Sequence, residues 1–334
     1  MSELVENTSS IGACWPAQVS SNNRIRGFYP AVIEENQDLD TLLTNFEEAL
    51  QTAKPYEIDR VSFRFCGTAS IIDRILKEKV NVEAVLPLHD TRSTGDELHV
   101  VYIAQNLGDR VMEPLKLAEH RTLLDKVLLK PTSTTSPEKH IESLGGAIRF
   151  IHNSSRDDKL MALVPKFHSL YDKFGFSESD VIEILTSETN TVAYIEDDQG
   201  SIISTALAEK AEVKIEGIDG DVLKIVEITE AVTDPDHTGR GYYRALSKCL
   251  VNQLVQLRFD GMDHIHAIYG ESNLSSPGVI FAAQQNGRIF SANEAARFGA
   301  EHPSFGILEQ NYYVNDGNET RRYNDFALSY VPLD

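Results

Sequence analysis

The residues with the clearest chemical potential are Thr238-Gly239-Arg240-Gly241-Tyr242-Tyr243. They fall between Val222 to Thr233, which alternates like a strand, and Gly241 to Arg258, which has helical apolar spacing; the turn Asp234-Pro235-Asp236 joins the two. Glycines in such a connection let the backbone turn tightly and approach a ligand closely. The first turn of the helix offers unpaired N–H groups and the positive end of its dipole. Together these features suit a pyrophosphate. Two other phosphate loops are excluded: no Gly-Lys-Ser/Thr follows, as a Walker A loop requires, and the three glycines of a dinucleotide fingerprint are missing.

The run from Val226-Glu227-Ile228 through Asp234-Pro235-Asp236-His237-Thr238-Gly239-Arg240-Gly241-Tyr242-Tyr243-Arg244-Ala245-Leu246 resembles motif A of the GNAT superfamily of N-acyltransferases, where a strand leads through a glycine loop into a helix. The resemblance implies a co-substrate, acetyl-CoA or another acyl-CoA. Its pyrophosphate would be held by Thr238, Gly239, Arg240, Gly241, Tyr242, Tyr243 and Arg244, and its thioester aligned by the strand backbone at Ala231, Val232 and Thr233. Asn273 matches the family's asparagine that contacts the pantetheine arm or a water. Two departures stand out: Thr238 occupies the position of the usual Arg or Gln, and Tyr243 that of the usual small residue.

Acylating an amine of pKa ~10 near neutral pH calls for a base. Glu227 coincides with the strand carboxylate that serves as base in histone-acetylating members of the family. Strand parity puts Thr229 on the face of Glu227 and Glu230 on the other. The plain alternative is that Glu227 and Glu230 are charged residues on a sheet surface. Many family members protonate the departing thiolate with a tyrosine on the helix after the next strand; here that helix, Ser275 to Gln285, has none. Tyr269, Tyr312, Tyr313 and Tyr323 stay open as acids, as does departure of the unprotonated thiolate. His237, His264 and His266 have no carboxylate or cysteine at metal-binding spacing, so no metal is expected.

The elements that must position these groups alternate as in a mixed α/β (α+β) fold, and the resemblance implies a GNAT-like, mostly antiparallel sheet flanked by helices, in two tandem GNAT-like units. A flexible N-terminus, 1–20, precedes a first unit without a cofactor motif, 21–129, then a linker, 130–144, and the catalytic unit, 145–334. In the first unit, strand Arg24 to Ile33, helix Leu39 to Thr52 with Asp38 as its cap, strand Arg60 to Phe65, helix Ser70 to Glu78, and strands Val82 to Leu88 and Leu98 to Ala104 give a β-α-β-α-β-β order, followed by a helix around Leu115 to Leu123. In the second, strand Ala147 to Ile151, helices Lys159 to Phe174 and Glu178 to Leu185 (N-cap Ser177), and a hairpin across Asp197-Asp198-Gln199-Gly200 precede the glycine segment. Strand His264 to Tyr269 and strand Tyr323 to Val331 follow it, the latter after a long loop, Ala292 to Glu319, whose His302-Pro303-Ser304-Phe305-Gly306 could touch an acceptor. The tandem arrangement also resembles, more faintly, the bacterial β-lysine acetyltransferases, through Asp59 to Phe65, Val82 to Pro87, Val100 to Ala104 and Tyr323 to Phe326. Glu83, Asp90, Arg92 and Asp96 lie near the first unit's loops.

At 334 residues two cores are the default. A formal net charge of -20 repels nucleic acid and anionic membranes and favours cationic partners; a positively charged amine substrate fits, and solubility is the plain alternative. With the family resemblance, the expected acceptor is the amine of a small molecule such as an amino acid, with no nucleic-acid or membrane partner. No stretch approaches the roughly 20 apolar residues of a membrane helix, and no signal sequence is evident, which predicts a cytoplasmic protein. Cys14, Cys66 and Cys249 form no CxxC pair and read as packing residues. The first unit would cover the acceptor side or support a homodimer. Rival readings are a protein N-acetyltransferase and a non-catalytic acyl-CoA-binding regulatory module.

Overall fold

The computed structural model describes residues 18–333 except 21–23, 57, 59, 79, 90–96, 108–113, 130, 132–134, 153–157, 217, 275, 296, 299–304 and 313–321. Cys14, Tyr313, Asp90, Arg92, Asp96 and His302 to Ser304 therefore lie outside the described residues. The strands are β1 Gln18–Ser20, β2 Arg24–Ile33, β3 Arg60–Thr68, β4 Val82–Pro87, β5 Leu98–Asn106, β6 Ala147–His152, β7 Asn190–Glu196, β8 Ile202–Lys214, β9 Val222–Thr233, β10 Ala267–Asn273, β11 Ile289–Phe290, β12 Ile307–Tyr312 and β13 Arg322–Tyr330. The helices are α1 Asn36–Ala53, α2 Ala69–Ile75, α3 Pro114–Leu128, α4 Pro137–Ser143, α5 Asp158–Met161, α6 Val164–Tyr171, α7 Glu178–Thr186, α8 Tyr242–Phe259 and α9 Pro277–Gln285.

Two mixed sheets result, one of five strands in the order β1-β2-β3-β5-β4 and one of eight, β11-β13-β10-β9-β8-β7-β6 with β12 on β13. Each is antiparallel except for one parallel pair, β2 with β3 and β9 with β10. The five-stranded sheet repeats the connectivity of half the larger one. In both, a parallel pair spanned by a helix is followed by a second helix and an antiparallel pair, as β2∥β3-β5-β4 and as β9∥β10-β13-β12.

The sheets pack face to face. Val61, Phe63, Phe65 and Val101 turn to α1 and α2, burying one side of the small sheet. The opposite side, Cys66, Leu86, Val100 and Tyr102, meets Leu223, Ile225, Tyr269 and Leu328 of the large sheet. Fully burying an aliphatic side chain of this size contributes roughly 1.5–3 kcal/mol, so this shared core ties the units together. Backbone bonds add to it: Val32 N–H donates to Glu216 O at 3.0 Å and His89 N–H to His266 O at 2.9 Å. The far side of the large sheet carries α8, through Leu246, Leu250 and Leu254. The near side, beyond the small sheet, carries α6 and α7 through Phe167, Tyr171 and Val181.

Several expectations need correction. α1 starts at Asn36 with Glu35 at its cap position, so Asp38 stands in the first turn, where its charge meets the positive end of the helix dipole instead of capping it. The stretch read as a linker contains α4: Ser136 accepts a hydrogen bond from Lys139 N–H, Pro137 opens the helix, and Ile141 is buried against α8. The same Pro and Ser residues that suggest a linker are a helix start signal. Helix α3 packs Leu124 and Val127 against Leu274, Ile280 and Phe290, on the larger sheet's side of the molecule. One helix over Lys159 to Phe174 is two, because Pro165 lacks the N–H a continuous helix needs and opens α6 instead. The long loop read over Ala292 to Glu319 contains β12, and β11 just precedes it. β10 begins at Ala267, so His264 and His266 precede it.

Candidate active site

The ladder between β9 and β10 runs Ala267↔Ile225, Ile268↔Val226, Tyr269↔Glu227 and stops. Both strands continue, β9 to Thr233 and β10 to Asn273, so they part and leave one edge of β9 without a strand partner. A β-bulge deepens the opening. β8 pairs Thr205 with Val232 and Leu207 with Thr229, which sets Glu230 and Ala231 of β9 against the single residue Ala206. Backbone polar groups freed in this way are available to an extended ligand. The corresponding pair in the small sheet resumes after an irregularity and stays closed through Val32↔Cys66 and Ile33↔Gly67. That closure, together with the absence of a glycine loop, explains why the first unit offers no equivalent opening.

Above the opening the chain turns through a 3₁₀ segment, Pro235–His237, in which Asp234 accepts from Asp236 N–H at 3.0 Å and pairs with Lys173 at 2.5 Å. Thr238, Gly239 and Arg240 are exposed, and Thr238 Oγ1 donates back to Pro235 O at 3.0 Å, bracing the loop. Gly239 and Gly241 adopt left-handed φ values of 75° and 81°. No side chain caps α8, so its first N–H groups are open to an anion. Tyr242 turns into the core while Tyr243 is half-buried. Arg244 donates to Gln285 Oε1 at 3.0 Å, bracing α8 against α9. Ala231 is exposed, whereas Val232 packs its side chain among the α6 and α7 residues and Thr233 Oγ1 bonds Ser204 Oγ at 2.9 Å, leaving their main chain as the part that could meet a ligand. Asn273 ends β10, with its carbonyl accepting from Ser276 N–H at 2.9 Å.

Glu227 stands where the strands part, on the face turned toward the small sheet. Tyr269 Oη donates to its Oε2 at 2.8 Å. Burial and then the charge of Glu271 push the Glu227 carboxyl up to about 7, against the opposing effects of the Tyr269 hydrogen bond and Arg64. Arg64 arrives from β3 of the other unit, 3.7 Å from Glu271, with its guanidinium 4.6 Å above the Tyr102 ring. Burial disfavours the Arg64 charge, but Tyr102, Tyr269, Glu271 and Glu227 outweigh it and hold the group ionised. Burial lifts Tyr102 to about 12 and, with the Glu227 charge, raises Tyr269 well above the usual phenol range. A carboxyl balanced near neutrality is suited to accept a proton at working pH.

A cavity of about 460 Å³ lies between α7 and β8, lined by Phe176, Asp180, Glu183, Asn190, Leu207 and Glu209 among others. Glu209 is the direct cross-strand partner of Glu227, so the two carboxylates share a sheet face and Glu209 links the cavity lining to Glu227. Its carboxylates suit a cation, and its volume suits a small molecule.

Of the groups singled out in the sequence, the structure brings together Glu227 and Tyr269, while the glycine loop follows the far end of β9, beyond Thr233. The side chains of Glu230, Tyr312 and Tyr323 are outside the described set. His266 is buried, accepting from Lys224 N–H at 3.1 Å, with its ring 4.8 Å from that of His264. Among the described residues no cluster of His, Cys, Asp or Glu has the arrangement of a metal site, and no helix is long and apolar enough to cross a membrane. Sequence reading missed Arg64, Tyr102, Glu271 and Arg288. Arg64 sits in an alternating strand whose polar face reads as solvent-exposed; its one signal is an arginine between Phe63 and Phe65.

No family model matches the sequence, and no curated protein matches it. Solved structures do align. Arabidopsis thaliana NAA60 in complex with acetyl-CoA has 14% identity and a TM-score of 0.38, covering 56% of this chain and 97% of the other. The Escherichia coli ribosomal-protein-S18-alanine N-acetyltransferase has 15% identity and a TM-score of 0.37, covering 56% and 94%. An N-acetyltransferase from Staphylococcus aureus has 8% identity and a TM-score of 0.34, covering 56% and 97%.

Proposed function

We propose that this protein is an acyl-CoA-dependent N-acyltransferase of the GNAT type that moves an acetyl or other short acyl group to the amine of a small molecule, with Glu227 as the base. The observation that carries the reading is the placement of Glu227: its carboxyl, lifted to about 7, lies where β9 and β10 part, on the strand that leads through the glycine segment into the uncapped start of α8. The pyrophosphate of the acyl-CoA would rest on the backbone of Thr238 to Arg244, and the thioester would run along the unpaired edge of β9 at Ala231 to Thr233. An ammonium held by Asp180, Glu183 and Glu209 gives a proton to Glu227, directly or through water, and the freed amine attacks the thioester carbonyl. Attack within one ternary complex needs no covalent enzyme intermediate.

Coverage of the Glu227 face by the small sheet supports a small amine over a protein chain, which would need an open groove there. Calorimetric titration with acetyl-CoA and CoA tests the first half of the reading. Micromolar binding is expected in the native protein and its loss in Gly239→Asp, which places a carboxylate in the pyrophosphate cradle at a position where an added Cβ meets no atom and Asp tolerates the left-handed backbone. An amine screen tests the second half. Glu227→Gln should retain CoA binding and lower turnover about 10²- to 10⁴-fold. Absence of binding to either ligand would sink the proposal.

A further inference from the structure

The sheet face that carries α8 and α9 holds a cation with no ion-pair partner among the described residues. Arg288 follows α9, where Gly287, at φ 80°, turns the chain back and Arg288 N–H closes the helix on Ala283 O at 3.1 Å. The residue is 4% exposed, and its Nε and Nη2 atoms are buried with no hydrogen-bond partner among the described residues. Its guanidinium lies against Gly270, the first β10 residue beyond the end of the β9 ladder, in the space a side chain there would fill. A Cβ at Gly270 would also approach Ile228 O to 3.0 Å, so glycine at this point keeps room for the arginine between the parting strands. Burial works against the Arg288 charge, and the titratable groups that act on it are Tyr243 of α8 and Glu227 of β9, neither of them in ion-pair contact. Arginine stays protonated under all ordinary conditions, and a buried cation without a paired anion is costly. A ligand that brings negative charge to this place would remove that cost.

We propose that Arg288 is the electrostatic partner of the thiolate that leaves during acyl transfer. This assignment rests on the acyl-CoA reading above. Once the amine nitrogen has bonded to the carbonyl carbon, the C–S bond breaks and its electron pair goes to sulfur. The guanidinium stabilises the resulting anion without giving up a proton. Of the two protons lost by the ammonium, Glu227 takes the first and the second passes through solvent to the sulfur as CoA departs as the thiol. The cation thereby does the work that a protonating tyrosine would do on α9, which has no tyrosine. Tyr269, a buried phenol on β10, is engaged with Glu227.

The test compares CoA with desulfo-CoA, in which hydrogen replaces the sulfhydryl, by calorimetry from pH 6.5 to 9 on the native protein, Arg288→Gln and Arg288→Lys. A free thiol titrates at about 8.5. If the bound thiol is lowered by about one unit, CoA should tighten relative to desulfo-CoA by up to roughly tenfold as pH rises, with a proton released on binding. Arg288→Lys should keep this gap and Arg288→Gln should lose it while binding desulfo-CoA as before. Titration of Glu227 and Tyr243 that is independent of the sulfur affects both ligands equally and cancels in the ratio. The assignment is overturned if the native protein shows no pH-dependent gap, a result that holds even if Arg288→Gln does not fold, or if a folded Arg288→Gln keeps it. It is equally overturned if Arg288→Gln loses only a preference for acyl groups bearing a carboxylate. Failure of native protein to bind either ligand at any pH sinks the acyl-CoA reading itself, a different outcome from binding both without a gap.

Discussion

Replacing Tyr269 with Phe removes one hydrogen bond from the candidate base and leaves the ring that packs between the sheets. The bond is short, 2.8 Å from Oη to Glu227 Oε2, and it favours the ionised carboxylate. A hydrogen bond to a charged group contributes about 1.5–3 kcal/mol, and 1.36 kcal/mol moves a pKa by one unit, so its loss should raise Glu227 by roughly 1–2 units. Glu227 is partly accessible, and water replacing the hydroxyl argues for the lower end of that range. Starting from about 7, a rise of roughly one unit lowers the ionised fraction at pH 7 about fivefold, and two units about fiftyfold. Carboxyl-carbon NMR titration of labelled glutamate, with Glu227→Gln to assign the resonance, reads the shift without knowledge of the acceptor. Once an acceptor is found, kcat/KM should fall at pH 7 and recover toward pH 9. A titration midpoint that stays put or moves down in Tyr269→Phe would refute the argument that this hydrogen bond holds the carboxylate near neutrality.

The raised carboxyl also has a signature in stability. Because its folded pKa, about 7, exceeds that of an unfolded glutamate, the protonated form favours the native state below pH ~4.5 and this contribution is lost as pH rises through ~7; the unfolding free energy of Glu227→Gln from urea titrations should therefore decline less between pH 5 and 8 than that of the native protein, by roughly 1–3 kcal/mol. Gly270→Ala forces a Cβ against Arg288 and to 3.0 Å from Ile228 O, and should destabilise by about 1–3 kcal/mol in denaturant unfolding. Ser177→Ala breaks a capping box in which both Ser177 and Asp180 take part, and should cost about 1 kcal/mol on the same assay. Burial and the hydrogen bond to Glu138 push the Cys249 thiol up to about 12, so mass-mapped alkylation at pH 8 should leave Cys249 unmodified in the folded protein.

The sequence by itself determined what is local in this protein. Alternation along Val222 to Thr233 and the Asp-Pro turn set β9 and its exit, matching the observed bounds Val222–Thr233. The helical spacing after Gly241 places α8 within a residue at each end, and Ser177 is the N-cap of α7 as its position suggests. Such features depend on backbone geometry and nearest neighbours, which a linear chain already carries. Helix α4 was misread because Pro and Ser serve both linkers and helix starts, and which applies depends on whether Ile141 finds a core.

What only the tertiary structure decided is where chemistry concentrates. Glu227 is ordinary in sequence; it becomes a near-neutral carboxyl because a second sheet covers it and Glu271 lies close by. Arg64 and Tyr102 belong to the other unit, more than a hundred residues away, and reach the cluster only when the two sheets stack. The end of the β9–β10 ladder and the isolation of Arg288 likewise follow from how strands diverge and what fills the space between them. Burial and charge proximity are properties of three-dimensional packing, and a residue's type and spacing carry neither.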